Sequence, residues 1–278
     1  MPTFAEVVLV GDEVAAHLAY LSAIGRTEHT IKSRASVLGQ FAEHMKPRTI
    51  LDATEDDFVI WLNSGNWSRP TKRTYHANLA AFYAWAVRRE HIAKSPLREM
   101  QKPSIPQRPP HEIPDDEFAA ALAVATARTR VWLILARYAG LRAAEVAALE
   151  PGDIHWQAGT LTVHGKGAKE ATMPMHPVVE RELRQWCAVH DGQTWTATPG
   201  DVSKAGTYAL RRAGSTHTFH SCRHGFAMHL LDMYDDVALV SKALRHSSLA
   251  VTQVYAQTRD SRLADAVRGM GLGASRSE

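Results

Sequence analysis

A mainly α-helical chain of two domains, the second an α+β domain with a small β-hairpin or sheet, is the fold class the sequence predicts. Three observations carry it. Apolar residues recur at helical spacing over most of the chain, a proline-rich stretch at 101–114 breaks that pattern, and one segment, 160–163, alternates instead. At 278 residues the chain has room for about two domains. Its 45% apolar and 22% charged residues are an ordinary globular composition.

Residues 1–100 are expected to form a helical domain. Val14, Leu18 and Leu21 recur at i, i+4 and i+7, and Ile31, Leu38, Phe41 and Met45 continue the spacing after Thr30, the expected N-cap. Thr54 and Asp57 form a capping signal ahead of Phe58, Trp61 and Leu62. Pro70 and Thr71 then open a longer helix with Tyr75, Leu79, Phe82 and Ala86 on one face. Lys72 and Arg73 fall in its first turn, where the helix dipole disfavours cations. An external anion would supply the balance; otherwise the two are exposed cations tolerated at small cost.

Five prolines in the fourteen positions of 101–114 exclude a helix and predict an extended connector. The second domain, 115–278, is expected to start with Asp115 as N-cap. Strands are expected at 160–163 and 171–175 around a turn in which glycines flank Lys166. Helical patterns follow at 178–188, 205–212, 220–231, 236–244 and 249–256, and the tail from Gly269 is rich in glycine and serine.

Two cysteines, Cys187 and Cys222, cannot build a disulfide framework. No apolar run reaches the length of a membrane span, and the N-terminal residues lack the basic flank of a signal peptide. A cytoplasmic protein without membrane association is therefore expected. The net charge of +3 decides little, but its distribution is uneven. Between Asn66 and Lys102 eight lysines and arginines, Arg69, Lys72 and Arg73 among them, face two glutamates. Between Asp201 and Asp232 lie Lys204, Arg211, Arg212 and Arg223, four histidines and no acid. Such stretches are the footprint of a polyanion or two solvated helix faces, and charge alone does not separate the two.

Four segments carry candidate chemistry. In Gly140-Leu141-Arg142-Ala143-Ala144-Glu145 an arginine starts a helix with a glutamate three residues on, in isolation an intrahelical ion pair. Lys166 alone is a turn lysine. In His220-Ser221-Cys222-Arg223-His224 the first histidine and the arginine share a helix face, a pairing suited to phosphate. His220 and His224 have the spacing of zinc ligands, but Ser221 stands where the zinc-protease motif needs glutamate. The fourth segment, Leu244-Arg245-His246-Ser247-Ser248, leads into a helix carrying Tyr255, which alone would be a packing residue.

Taken together and in this order, the four segments resemble the tyrosine recombinase (phage integrase-like) family from about residue 115 to residue 256. The helical first domain, its basic stretch and the proline connector look like that family's core-binding domain. The resemblance implies a site-specific DNA recombinase acting through a 3′-phosphotyrosyl intermediate, an integrase of a phage or mobile element. Arg142 and Arg223 would clamp the scissile phosphate, where charge gathers in the transition state. Tyr255 would attack phosphorus, His220 would take its proton or hydrogen-bond it, Lys166 would protonate the leaving 5′ oxygen, and His246 would hydrogen-bond the phosphate. Glu145 would brace Arg142 or its helix and take no part in proton transfer. Arg69, Lys72, Arg73, Arg211, Arg212 and Arg245 would meet DNA. No metal or other cofactor is implied. The implied partners are double-stranded DNA attachment or core sites, a homotetramer assembled on them with C-terminal segments exchanged through 257–278, and accessory or directionality proteins.

The first domain begins near residue 1, which predicts a compact integrase without an arm-binding domain. A recombinase that resolves chromosome dimers, a type IB topoisomerase and a non-catalytic DNA-binding relative are the alternatives. Two departures stand out. Arg245 occupies a position that is usually glycine, adding a cation near the phosphate or moving the loop out of a left-handed conformation. Ser221-Cys222 replaces the usual Asp-Leu, altering the support of nearby groups.

Overall fold

The computed structural model describes residues 12–105, 112–165 and 170–245, and the chain divides into two compact units, Met1–Pro106 and Gln107–Glu278. The architecture is mainly helical with one small three-stranded antiparallel sheet, as predicted. No described helix is long and apolar enough to cross a membrane.

The first unit contains α1 (Asp12–Ala23), α2 (Glu28–Met45), α3 (Glu55–Ser64) and α4 (Arg69–Arg88). Their apolar stripes meet in one core, where Val14, Leu38, Phe41, Phe58, Leu79 and Phe82 are buried. Thr27, and not Thr30, caps α2: Thr27 is extended and its hydroxyl accepts from the Thr30 backbone N–H. Thr30 is itself helical and hydrogen-bonds the Thr27 hydroxyl at 2.9 Å. The Thr54–Asp57 capping box forms as expected, with the Thr54 N–H donating to Asp57 at 2.9 Å. Ser68 caps α4 and Pro70 lies in its first turn, where its missing N–H costs nothing. The cations of that turn are partly occupied internally. Lys72 donates to the Asn63 side chain at 3.1 Å and Arg73 to the Pro103 carbonyl at 3.5 Å.

The second unit opens with α5 (Asp115–Val124). Pro114 occupies the cap position without a side-chain bond, so Asp115 is the first helical residue and not the cap. Its carboxylate pairs instead with Arg137 at 2.5 Å. Helix α6 (Ala127–Tyr138) runs through the core with every residue from Val131 to Ala136 buried. A helix enclosed on all sides has no polar stripe, which is why periodicity did not single it out. After the short α7 (Ala143–Ala147) come β1 (Ile154–His155), β2 (Thr160–His164) and β3 (Glu170–Pro174), paired in that order. The two-residue β1 is too short to have a readable pattern. The return strand begins one residue earlier than expected, with Leu161 opposite Met173 and Val163 opposite Ala171.

Helices α8 (Pro177–Val189), α9 (Pro199–Arg212), α10 (Phe219–Tyr234) and α11 (Val237–Ala243) complete the unit. Helix α9 starts six residues before the apolar pattern because Thr198 and Asp201 form a capping box around Pro199. The helix expected at 249–256 lies outside the described residues.

Candidate active site

Arg142, Glu145, His220, Arg223 and Arg245 come together in the second unit, brought there by three separate joints in the chain. At the end of α6 the backbone turns through Gly140, whose φ is +60°. A Cβ there would stand 2.4 Å from the Phe226 ring, so both conformation and space require glycine. The turn delivers Arg142 to the N-cap of α7. Glu145, one turn on, accepts the Arg142 backbone N–H at 2.8 Å and its side-chain Nη1 at 2.7 Å.

Helix α10 supplies Arg223, whose Nη2 donates to the Leu244 carbonyl at 2.6 Å. Its Nη1 donates to the Gly140 carbonyl and stands 3.5 Å from Glu145 Oε2. The end of α11 supplies Arg245. Its backbone is left-handed, with φ +55°. One of the two expected consequences of this residue, departure from the left-handed conformation, therefore does not occur. Its side chain turns inward, with 10% exposure. Arg245 Nη2 donates to Glu145 Oε2 at 2.7 Å and to the Gly140 carbonyl at 3.0 Å, and Nη1 donates to the Ala243 carbonyl at 3.0 Å and touches the Met173 sulfur.

Three guanidinium groups thus surround one carboxylate. Glu145 and Arg223 are buried, with side-chain exposures of 4% and 2%, Arg245 is at 10%, and Arg142 at 39% is the one open to a ligand. Burial pushes the Glu145 carboxyl pKa up, but Arg245, the Arg142 N–H and Arg223 outweigh it and leave the group below its usual value. His220 reaches solvent at the start of α10. Surrounding protein, then Arg223 and Arg142, lower its pKa and so favour the neutral imidazole. The site has the groups to bind an anion of tetrahedral or trigonal shape and to receive a proton beside it.

The Ser221-Cys222 pair has structural uses. Ser221 accepts the Thr218 N–H at 3.3 Å at the start of α10, and Cys222 is fully buried, its thiol pKa raised to about 12 by burial. Lys166, His246 and Tyr255 lie outside the described residues, although β2 and β3 flank the first and Arg245 directly precedes the second. Sequence reasoning missed His164 at the base of that hairpin, which hydrogen-bonds Asp153 at 2.7 Å. Its hydrogen-bond partner Asp153 ends the 3₁₀ turn Pro151–Asp153, which has no periodic signal.

Among the proposed DNA contacts, Arg69, Arg73, Arg211 and Arg212 are exposed and Lys72 is half-buried. Arg211 lines an open cleft on α9 with Ser203, Lys204, Thr207 and Tyr208. Tyr208, 66% exposed, is an aromatic surface residue that charge counting could not find. Among the described residues no cluster of three or more His, Cys, Asp or Glu side chains is arranged to hold a metal ion.

A model of the phage integrase family matches residues 113–262. The tyrosine recombinase XerC of Xylella fastidiosa is 30% identical over 191 residues, 63% of this chain and 65% of that protein, so the chain covers just under two thirds of its length. XerC of Corynebacterium efficiens is 29% identical over 271 residues, covering 88% of this chain and 86% of the relative. Among solved structures, a lambda integrase dimer bound to a COC′ core site shares the fold, with TM-score 0.75, 16% identity and coverage of 96% and 79%.

Proposed function

The chain belongs to the phage integrase family, and we propose that it is a site-specific DNA recombinase that cuts and rejoins DNA through a phosphotyrosyl intermediate, integrating a phage or mobile element. The observation that carries the reading is the convergence of Arg142 and Arg223 on Glu145, with His220 alongside. A phosphodiester being displaced gathers negative charge on its non-bridging oxygens. The Arg142 guanidinium, held by Glu145 and open to a ligand, stabilises that charge without reorganising, and the buried Arg223 adds its positive charge beside it.

In this reading Tyr255 Oη attacks phosphorus and His220 takes its proton. The 5′ oxygen leaves with a proton from Lys166, and His246 hydrogen-bonds the phosphate. The phosphotyrosyl bond conserves the energy of the broken phosphodiester, so a 5′ hydroxyl of a second DNA can attack it and regenerate Tyr255. Glu145 orients the arginines and takes no proton. Arg69, Lys72, Arg73, Arg211 and Arg212 contribute sequence-independent phosphate contacts, and affinity falls steeply with salt. The assembly is a homotetramer on paired core sites in the cytoplasm, with accessory proteins setting direction. The helical first unit is its core-binding domain.

The test is a nicked suicide duplex carrying the cognate site. The wild-type chain should form a protein–DNA adduct that survives denaturation, and Tyr255→Phe should form none. An adduct that persists in Tyr255→Phe would refute the assignment. The alternative reading is a recombinase that resolves chromosome dimers. Recombination between two sites on one plasmid, without integration at an attachment site, would establish it.

A further inference from the structure

We propose that Arg245 is a positioning residue: its guanidinium ties the segment entering His246 to Glu145, and so fixes the carboxylate against which Arg142 and Arg223 are set. The inference rests on the recombinase reading for its consequence, and on geometry for its substance.

The first observation is backbone conformation. Arg245 has φ +55°, a region that disfavours every side chain except glycine and, less strongly, asparagine and aspartate. A side chain kept there needs a compensating interaction. The second observation supplies it. Both terminal nitrogens of Arg245 are committed, to Glu145 Oε2, the Gly140 carbonyl and the Ala243 carbonyl. The third is how Glu145 divides its oxygens. Oε1 takes the Arg142 guanidinium, while Oε2 takes the Arg142 N–H at 2.8 Å and Arg245 at 2.7 Å, with Arg223 more distant at 3.5 Å.

Arg245 is thus the nearest cation to Oε2. It also shares the Gly140 carbonyl with Arg223, and Arg223 in turn grips the carbonyl of Leu244, the residue before Arg245. Turning Arg245 outward toward a phosphate would strip Oε2 of its closest charge partner and loosen both ends of that chain. The geometry therefore favours an internal tie over a DNA contact.

The experiment uses the full chain with the nicked duplex. Arg245→Gly suits the left-handed backbone and removes only the side chain. Its DNA affinity should stay within about twofold of wild type, and the slope of log affinity against log salt should not change. Its adduct-forming rate should fall about tenfold or more. Arg245→Lys should not restore that rate, because an ammonium group cannot span the carboxylate and two carbonyls in the same geometry. A readout independent of catalysis is a thermal cycle of Arg245→Met, Glu145→Gln and the double variant. The double variant should lose less than the sum of the singles, by about 3 °C or more. A salt slope reduced by about one, or additive thermal losses, would overturn the proposal. If the wild-type chain forms no adduct, the recombinase reading fails, while the salt slope and thermal cycle still decide whether Arg245 holds Glu145 or DNA.

Discussion

Glu145 is the residue on which the site depends, and its cost is easiest to see by removal. Its carboxylate is buried beside Arg223, which is also buried, and it receives Arg142 and Arg245. Taking away one partner of a buried ionic group leaves uncompensated charge, a loss of about 3–5 kcal/mol. Glu145→Ala should therefore lower the denaturant midpoint substantially and abolish adduct formation together. An unchanged midpoint would show that the arginines do not rely on the carboxylate. The Arg142–Glu145 pair was legible in the sequence because three residues on a helix bring side chains together. Arg223 lies 78 positions away and Arg245 lies 100 away, and no local spacing encodes such meetings. The family motif pointed to Arg223; only the structure turned Arg245 inward.

At the scale of elements, the joint between α6 and α7 carries the site. Gly140 has both a left-handed backbone and a neighbouring aromatic ring, and its carbonyl accepts both Arg223 and Arg245. Gly140→Ala should cost about 1–2 kcal/mol for the backbone and more for displacing Phe226, with a fall in adduct rate. Gly159 is the control: its φ is +61°, but nothing lies within 4 Å of a Cβ there. Gly159→Ala should show the backbone cost alone in urea unfolding and leave the adduct rate unchanged. Equal losses at the two sites would remove Phe226 from the explanation. Helix ends were legible where a side chain closes them, as at Thr54. They were misplaced where two hydroxyl residues compete, as at Thr27 and Thr30, or where a proline replaces the cap, as at Pro114. The buried α6 was the least legible helix, since enclosure erases periodicity.

At the scale of the whole molecule, the core of the first unit contains a titratable group that no site explains. His17 on α1 is 1% exposed, packed edge-on against Phe82 and close to Trp85, with neither ring nitrogen bonded among the described residues. Burial, then Arg34 and Arg88, lower its pKa from 6.5 to about 4. The sequence placed Val14, Leu18 and Leu21 on the buried stripe of α1, but a histidine between them reads as polar and outward, so this burial was not legible. The sign of its pH effect follows from linkage. Above pH 6.5 both folded and unfolded forms are neutral at this residue and nothing changes. Between 6.5 and about 4 the unfolded chain binds a proton that the folded chain refuses, so stability falls as the pH falls. The full loss is of order 3 kcal/mol, with about 2 kcal/mol of it reached by pH 5. His17→Leu keeps the apolar contacts and removes the titration. Urea midpoints at pH 7.5 and pH 5 should therefore separate widely for the wild-type chain and much less for His17→Leu. The same separation in both would mean that the acid sensitivity arises elsewhere, and that His17 finds a proton acceptor in solution.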